Sequence, residues 1–372
     1  MKNKILFISH EASRTGAPLV LLHFLKWIKT YHPDTFFGVL LIKGGVLEHE
    51  FNEVADKFYH YEQMNRSNLS NRIKSKLNLK SLKSCSIIRS IGKENYNLIY
   101  ANTANSVQLA CVIKKNQPNV KCLAHIHEMQ AILELSCPKF KTYTRKLDHI
   151  IAVSNPVYEN LINNYNITKD KISIIYEFGI TQKLNKTSES TSNVFRVGTS
   201  GLSHWRKGND VFLQVARYVK KHHPELNIEF VWVGNEFRDK TIIDKDIQKM
   251  GLESRIRFTG ELEKTAAIYN SFDLFLLSSR EDPFPLVCIE VAQLKKPIIC
   301  FEYASGTADI ISKGGGYVVS YLDIEAVVEK IVLYYNNPDK KIKDGEDAFE
   351  LFKDFTPEKI CPLLFDEVLK LV

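Results

Sequence analysis

The chain has 372 residues, 44% of them hydrophobic and 25% charged, a globular composition with enough length for two domains of roughly 150–200 residues. Fifty Lys and Arg against 43 Asp and Glu leave +7, too weak an excess to demand nucleic acid; residues 1–180, with 24 basic and 14 acidic side chains, carry +10, and the remainder, with 26 and 29, carries −3. No apolar run approaches the ~20 residues that span a bilayer, the apolar start is too short for a secretory leader, and seven cysteines without a C-x-x-C pair fit a reducing cytoplasm better than disulfides or zinc.

Short apolar runs alternate with helical patterns. Ile5-Leu-Phe-Ile8 reads as a strand buried on both faces, as parallel strands are. A glycine turn follows, then an apolar-faced helix through 17–28. Further strands are expected at 36–42, 97–100, 121–126, 150–153 and 171–176, with helices between them: the βαβ rhythm of a doubly wound sheet. The rhythm breaks at 181–193, a Ser/Thr-rich stretch with little to bury, read as the linker after a first domain of 1–180. It restarts in a second domain of 194–355, with strands at 195–199, 228–233, 256–258, 273–277, 297–301 and 317–319. The 3-and-4 spacing of Ile324, Val327, Val328, Ile331 and Val332 predicts an amphipathic helix. Residues 356–372 hold a last helix, from about Pro357, that can pack back on the first domain. The fold class is therefore α/β, two Rossmann-like domains facing across a cleft. Ligands of open α/β sheets bind beyond the carboxyl ends of the strands, so the residues following each strand are the candidates.

After the first strand, Ser13-Arg-Thr-Gly16-Ala-Pro18 opens a helix. Gly16 allows close backbone approach, and a helix start favours an anion; without a fuller glycine motif the segment reads equally as an ordinary turn. At another strand end lies His125-Ile-His127-Glu128, where a polar site residue and a satisfied buried histidine both fit; a metal lacks further ligands at recognisable spacing. Residues 66–93 carry eight basic and no acidic side chains, with Leu69, Ile73 and Leu77 at i+4. That pattern suits an anionic membrane surface or simply a solvated helix face; the lack of aromatics argues against nucleic acid.

In the second domain, Ser200-Gly-Leu-Ser-His204-Trp-Arg206-Lys207-Gly208 follows a strand. Arg206 can meet a diphosphate bidentately and Lys207 as a point charge, or the two can be a solvated pair beside a cap. Glu281-Asp282-Pro-Phe284-Pro285-Leu286-x3-Glu290 places one carboxylate in a turn and another on an otherwise apolar helix face. A carboxylate is costly there unless it is paired or accepts ligand hydroxyls. The Asp244-x-Asp246 pair sits within a helical pattern and is set aside as a metal motif.

With these residues in order, the chain resembles the retaining, nucleotide-sugar-dependent glycosyltransferases of family 4, of the GT-B fold. Asp282-x7-Glu290 matches the family's paired acids, with Phe284-Pro285-Leu286 between them; the family has Glu at the first position, so Glu281 competes with Asp282 for that role. The resemblance implies Glu290 as ribose ligand, Asp282 as hexose ligand and Lys207 on the donor phosphates. The family's arginine position holds Leu202, and Arg206 is the substitute. It further implies Gly16 near the donor phosphate, His127 (or His125) on the transferred sugar, and Gly306 and Thr307 as diphosphate-binding amides. No cofactor or metal is implied beyond the nucleotide-sugar donor. The acceptor would be a glycan, lipid-linked, in bacterial surface polysaccharide synthesis, with the enzyme cytoplasmic or at the inner membrane face. An epimerase or hydrolase of the same architecture, and a non-catalytic membrane- or nucleic-acid-associated protein, are the alternatives.

Overall fold

A computed structural model describes residues 3–61, 86–180, 194–235 and 240–372. The expected linker at 181–193 and residues 66–85 of the basic segment lie outside the described residues. Two units are present, Met1–Glu177 with Pro357–Val372, and Phe178–Thr356.

In the first unit, strands β1 (Lys4–Ser9), β2 (Phe36–Leu41), β3 (Lys57–His60), β4 (Leu98–Asn102), β5 (Lys121–Ile126), β6 (His149–Ala152) and β7 (Ile172–Ile174) form one parallel sheet ordered 3-2-1-4-5-6-7. In the second, β8 (Phe195–Ser200), β9 (Ile228–Val233), β10 (Ile256–Phe258), β11 (Leu274–Leu277), β12 (Ile298–Phe301) and β13 (Gly316–Val319) are ordered 10-9-8-11-12-13, again all parallel. The helices are α1 (Gly16–Tyr31), α2 (Glu48–Val54), α3 (Ser86–Lys93), α4 (Ala104–Asn116), α5 (Gln130–Ser136), α6 (Phe140–Thr144) and α7 (Asn155–Asn163). After them come α8 (Asn209–His222), α9 (Lys240–Met250), α10 (Ala266–Asn270), α11 (Leu286–Gln293), α12 (Thr307–Ile311), α13 (Ile324–Asn336), α14 (Pro338–Phe352) and α15 (Pro357–Leu369).

Each sheet starts in its middle and grows first one way, then the other. The strand order therefore reverses between β1 and β4 in one unit and between β8 and β11 in the other. Connections leave such a point toward opposite faces, opening a crevice beyond the strand ends. The central strands are apolar on both sides because helices cover both faces: Ile5 to Ile8 and Leu274 to Phe275 are fully buried.

Two elements have no counterpart in the sequence reading. Strand β3 is an edge strand with only Tyr59 and His60 buried, so it shows no apolar run. Helix α14 is largely charged and buries only Asp344, Gly345, Ala348 and Phe352. Asp344 is held there by Lys340 (2.9 Å) and the Tyr334 hydroxyl (2.7 Å). Gly345 lets the helix meet the chain at Lys295, whose carbonyl oxygen would lie 2.1 Å from any Cβ. Of the basic segment 66–93, only α3 is described. Its Ile87, Ile88 and Ile91 enter the core of the first unit, so this part presents a basic face and keeps no free apolar one.

Helix α15 belongs to the first unit, on α1. Phe365 stacks on His32 at 4.1 Å and meets Trp27 at 5.9 Å. Because Phe365 is 3% exposed, Phe365→Ala should lower stability by about 3–5 kcal/mol, seen as a fall in Tm and faster proteolysis of the C-terminal helix. A loss within about 1 kcal/mol would show that this aromatic packing does not hold α15.

Candidate functional site

In the second unit, residues following β8, β11 and β12 converge at the strand-order reversal. The turn at 205–208 is pressed onto the end of β11 through backbone groups. Arg280 N donates to Arg206 O (2.8 Å) and Ser278 Oγ to Lys207 O (3.0 Å). Gly208 makes this approach possible: its φ is +70°, and a Cβ would lie 2.0 Å from Ser278 O. Arg280 then clamps Asp210, at the start of α8, with two 2.7 Å hydrogen bonds.

The pinned turn aims both cations at one carboxylate. Asp282 accepts from Arg206 Nη1 (3.0 Å), from Lys207 Nζ and from Ser279 Oγ (3.2 Å), while Arg206 also reaches Glu281 O (3.1 Å). Burial by itself would raise the Asp282 carboxyl; the adjacent Lys207 and Arg206 charges hold it below the usual range. Burial draws the Lys207 ammonium below its ordinary value, against the pull of Asp282. Two cations share the Asp282 carboxylate. Asp282 N donates to Ala304 O (2.8 Å) and Gly306 N to Pro283 O (2.9 Å), which fastens the turn after β12 to the acidic loop. Thr307 N donates to Ser305 Oγ (3.1 Å). The Gly306 and Thr307 amides, expected to meet a diphosphate, are thus bonded within this junction and shape the ground beneath Asp282.

Between the expected acids, the Phe284 side chain is committed to a cluster with Phe352 and Phe355, at centroid distances of 6.3 and 5.2 Å. Pro285 stands at the N-cap of α11 and Leu286 opens the helix. Glu290, one turn along, has no hydrogen bond or ion pair among the described residues, and burial pushes its carboxyl up to about 7. Its charge raises the Tyr269 phenol, after burial the next cause of that shift. The Tyr269 hydroxyl in turn pairs with Ser200 Oγ (2.7 Å) at the end of β8.

The first unit gathers polar groups at its own reversal point. Ser9, Asn102 and His125 are neighbours in register across β1, β4 and β5. His125 Nδ1 pairs with the Tyr100 hydroxyl (2.7 Å), and burial lowers its basicity far below the usual. His127 lies 4.1 Å from it, ring to ring, with Nδ1 against Glu177 Oε1 and Nε2 3.0 Å from Asn102 Oδ1. Glu128 accepts from the amides of Ala104 and His127 (3.1 and 3.0 Å), its carboxyl raised by burial. His10 pairs with Thr103 Oγ1 (3.1 Å) and is lowered, first by burial. Gly16 opens α1 as expected, but the loop before it is tied to an acid: Ser13 Oγ donates to Glu11 Oε1 (2.6 Å). His10, Asn102 and Glu177 were missed in the sequence. Their signal was position alone, immediately after β1, at the end of β4 and before Phe178-Gly179.

The D-x-D pair lies on α9, where Asp244 pairs with Lys240 one turn back. Among the described residues no three His, Cys, Asp or Glu side chains come together in ligating geometry.

A family model described as glycosyl transferases group 1 matches residues 193–337, and a second, glycosyltransferase family 4, matches 52–178. The chain belongs to the group 1 glycosyltransferases. An uncharacterized glycosyltransferase of Haemophilus influenzae is 25% identical over 223 residues, 60% of this chain and 54% of that one. The lipopolysaccharide core mannosyltransferase LpcC of Rhizobium leguminosarum is 26% identical over 160 residues, 41% and 44% of the two chains. The chain thus spans about half the length of these curated relatives. The crystal structure of Anabaena HepE in complex with UDP-glucose superposes with a TM-score of 0.79 over 99% of this chain and 100% of that one, at 18% identity. The GT-B architecture of this glycosyltransferase follows from that likeness and from its two parallel sheets of seven and six strands.

Proposed function

We propose that this glycosyltransferase moves a hexose from a nucleotide diphosphate sugar to a glycan acceptor carried on lipid, with retention of configuration and without a metal. One observation carries the reading: Arg206 and Lys207 are both built onto Asp282, two fixed cations on one carboxylate, in the unit that also holds the unpaired Glu290. A departing diphosphate gathers negative charge that preorganised cations offset. An unpaired, half-buried carboxylate suits a pair of ribose hydroxyls, which would supply the hydrogen bonds it lacks. Asp282 and Glu281 border the cations, where a hexose hydroxyl would arrive. LpcC and HepE, a mannosyltransferase and a UDP-glucose binder, support a hexose donor and a surface-glycan product.

The full chain should be stabilised by its donor in a thermal-shift panel of UDP-, GDP- and ADP-sugars. A ligand at 100 times its Kd adds about 2.7 kcal/mol. NMR of the product's anomeric configuration reads retention, and an unchanged rate in EDTA reads metal independence. No shift with any nucleotide sugar or free nucleotide would overturn the donor reading.

A further inference from the structure

His127 is enclosed by acceptors. Its Nδ1 faces the Glu177 carboxylate, and both side chains are nearly closed to solvent, at 6% and 7% exposure. Its Nε2 faces Asn102 Oδ1 at 3.0 Å. The orientation of that amide is set elsewhere, because Asn102 Nδ2 donates to Ala17 O at 3.0 Å, which turns the oxygen toward the ring. A neutral imidazole carries one N–H and would leave one of these contacts as lone pair against lone pair. We propose that Glu177 is a positioning residue that keeps His127 doubly protonated, so that the end of β5 carries a fixed imidazolium in place of a proton acceptor.

The surroundings agree. The groups facing His127 are His10 from the segment after β1, His125 and Glu128 from β5 and its exit, and Glu177 after β7. Burial lowers both His10 and His125, which leaves them neutral and removes competing positive charge. Glu128 lies on the His127 amide and adds a second carboxyl beside the ring. His127 could not then serve as general base. That consequence for transfer rests on the function proposed above; the protonation itself does not.

The test is nitrogen NMR of the full chain labelled at histidine, at about pH 7.5, with His127→Gln assigning the signals. In the wild type, neither His127 nitrogen should show the far-downfield signal of a bare ring nitrogen; in Glu177→Gln one of them should. A bare nitrogen at His127 in the wild type overturns the proposal, whether or not the variant folds. A variant that stays doubly protonated removes Glu177 from the role. With donor, Glu177→Gln should lower kcat about tenfold or more and leave the donor KM within about twofold. If nucleotide sugars fail to bind while the doubly protonated ring is seen, the donor reading falls and this assignment stands.

Discussion

Lys207→Ala is expected to cut transfer about 10²–10³-fold, the usual effect of removing one preorganised contact to developing charge. The Lys207 side chain is only 14% exposed and is fixed, its backbone carbonyl held by Ser278 and its ammonium by Asp282. It would therefore meet a departing phosphate without first being ordered. Stability should change too, with a defined pH dependence. The folded Asp282 carboxyl is held below its unfolded value of 3.8, so its contribution is present above that pH and disappears as pH falls through the lower folded value. Removing Lys207 takes away the stronger of the two cationic influences on Asp282. The stability gap between wild type and variant should be widest near neutrality and close in acid. Rates from nucleotide release and urea unfolding at several pH values measure both effects. A wild-type rate with donor saturated would remove Lys207 from the phosphate role.

The sequence made the sheets legible for a physical reason. Doubly covered parallel strands cannot tolerate polar alternation, so Ile5–Ile8 and Asp273–Leu277 announce themselves as runs. The same rule hides β3, an edge strand with one side half open, and α14, whose core contacts include a buried Asp344 satisfied by Lys340 one turn back and by Tyr334 of the preceding helix. The acidic loop was legible through the seven-residue gap between Asp282 and Glu290. What could not be read was the use of each polar group. Gly306 and Thr307 look like free amides in sequence, but Thr307 N is taken by Ser305 Oγ and Gly306 N by Pro283 O on another loop. Likewise His127 is a plain strand-end histidine until Glu177, 50 residues on, lies against it.

Glu290→Gln separates stability from function in opposite directions. An ordinary glutamate titrates near 4.5, and burial pushes the folded Glu290 up to about 7. Between these values the folded chain holds a proton that the unfolded chain has released, so stability falls as pH rises from 4.5 and the penalty is complete above 7. A shift of that size amounts to about 3 kcal/mol. The neutral amide avoids it, so the variant should match the wild type at pH 4 and exceed it by up to about 3 kcal/mol at pH 8. Donor binding should move the other way. Two ligand hydroxyls donate best to an ionised carboxylate, so donor affinity in the wild type should strengthen as pH rises through 7, with proton release on binding. In Glu290→Gln both the pH dependence and much of the affinity should vanish. Calorimetry in two buffers of different ionisation enthalpy reads the proton directly, and thermal unfolding across pH reads the penalty. A variant less stable at pH 8 would mean that Glu290 is already paired in the folded chain. A wild-type affinity flat across neutral pH would mean that the donor leaves this carboxylate untouched.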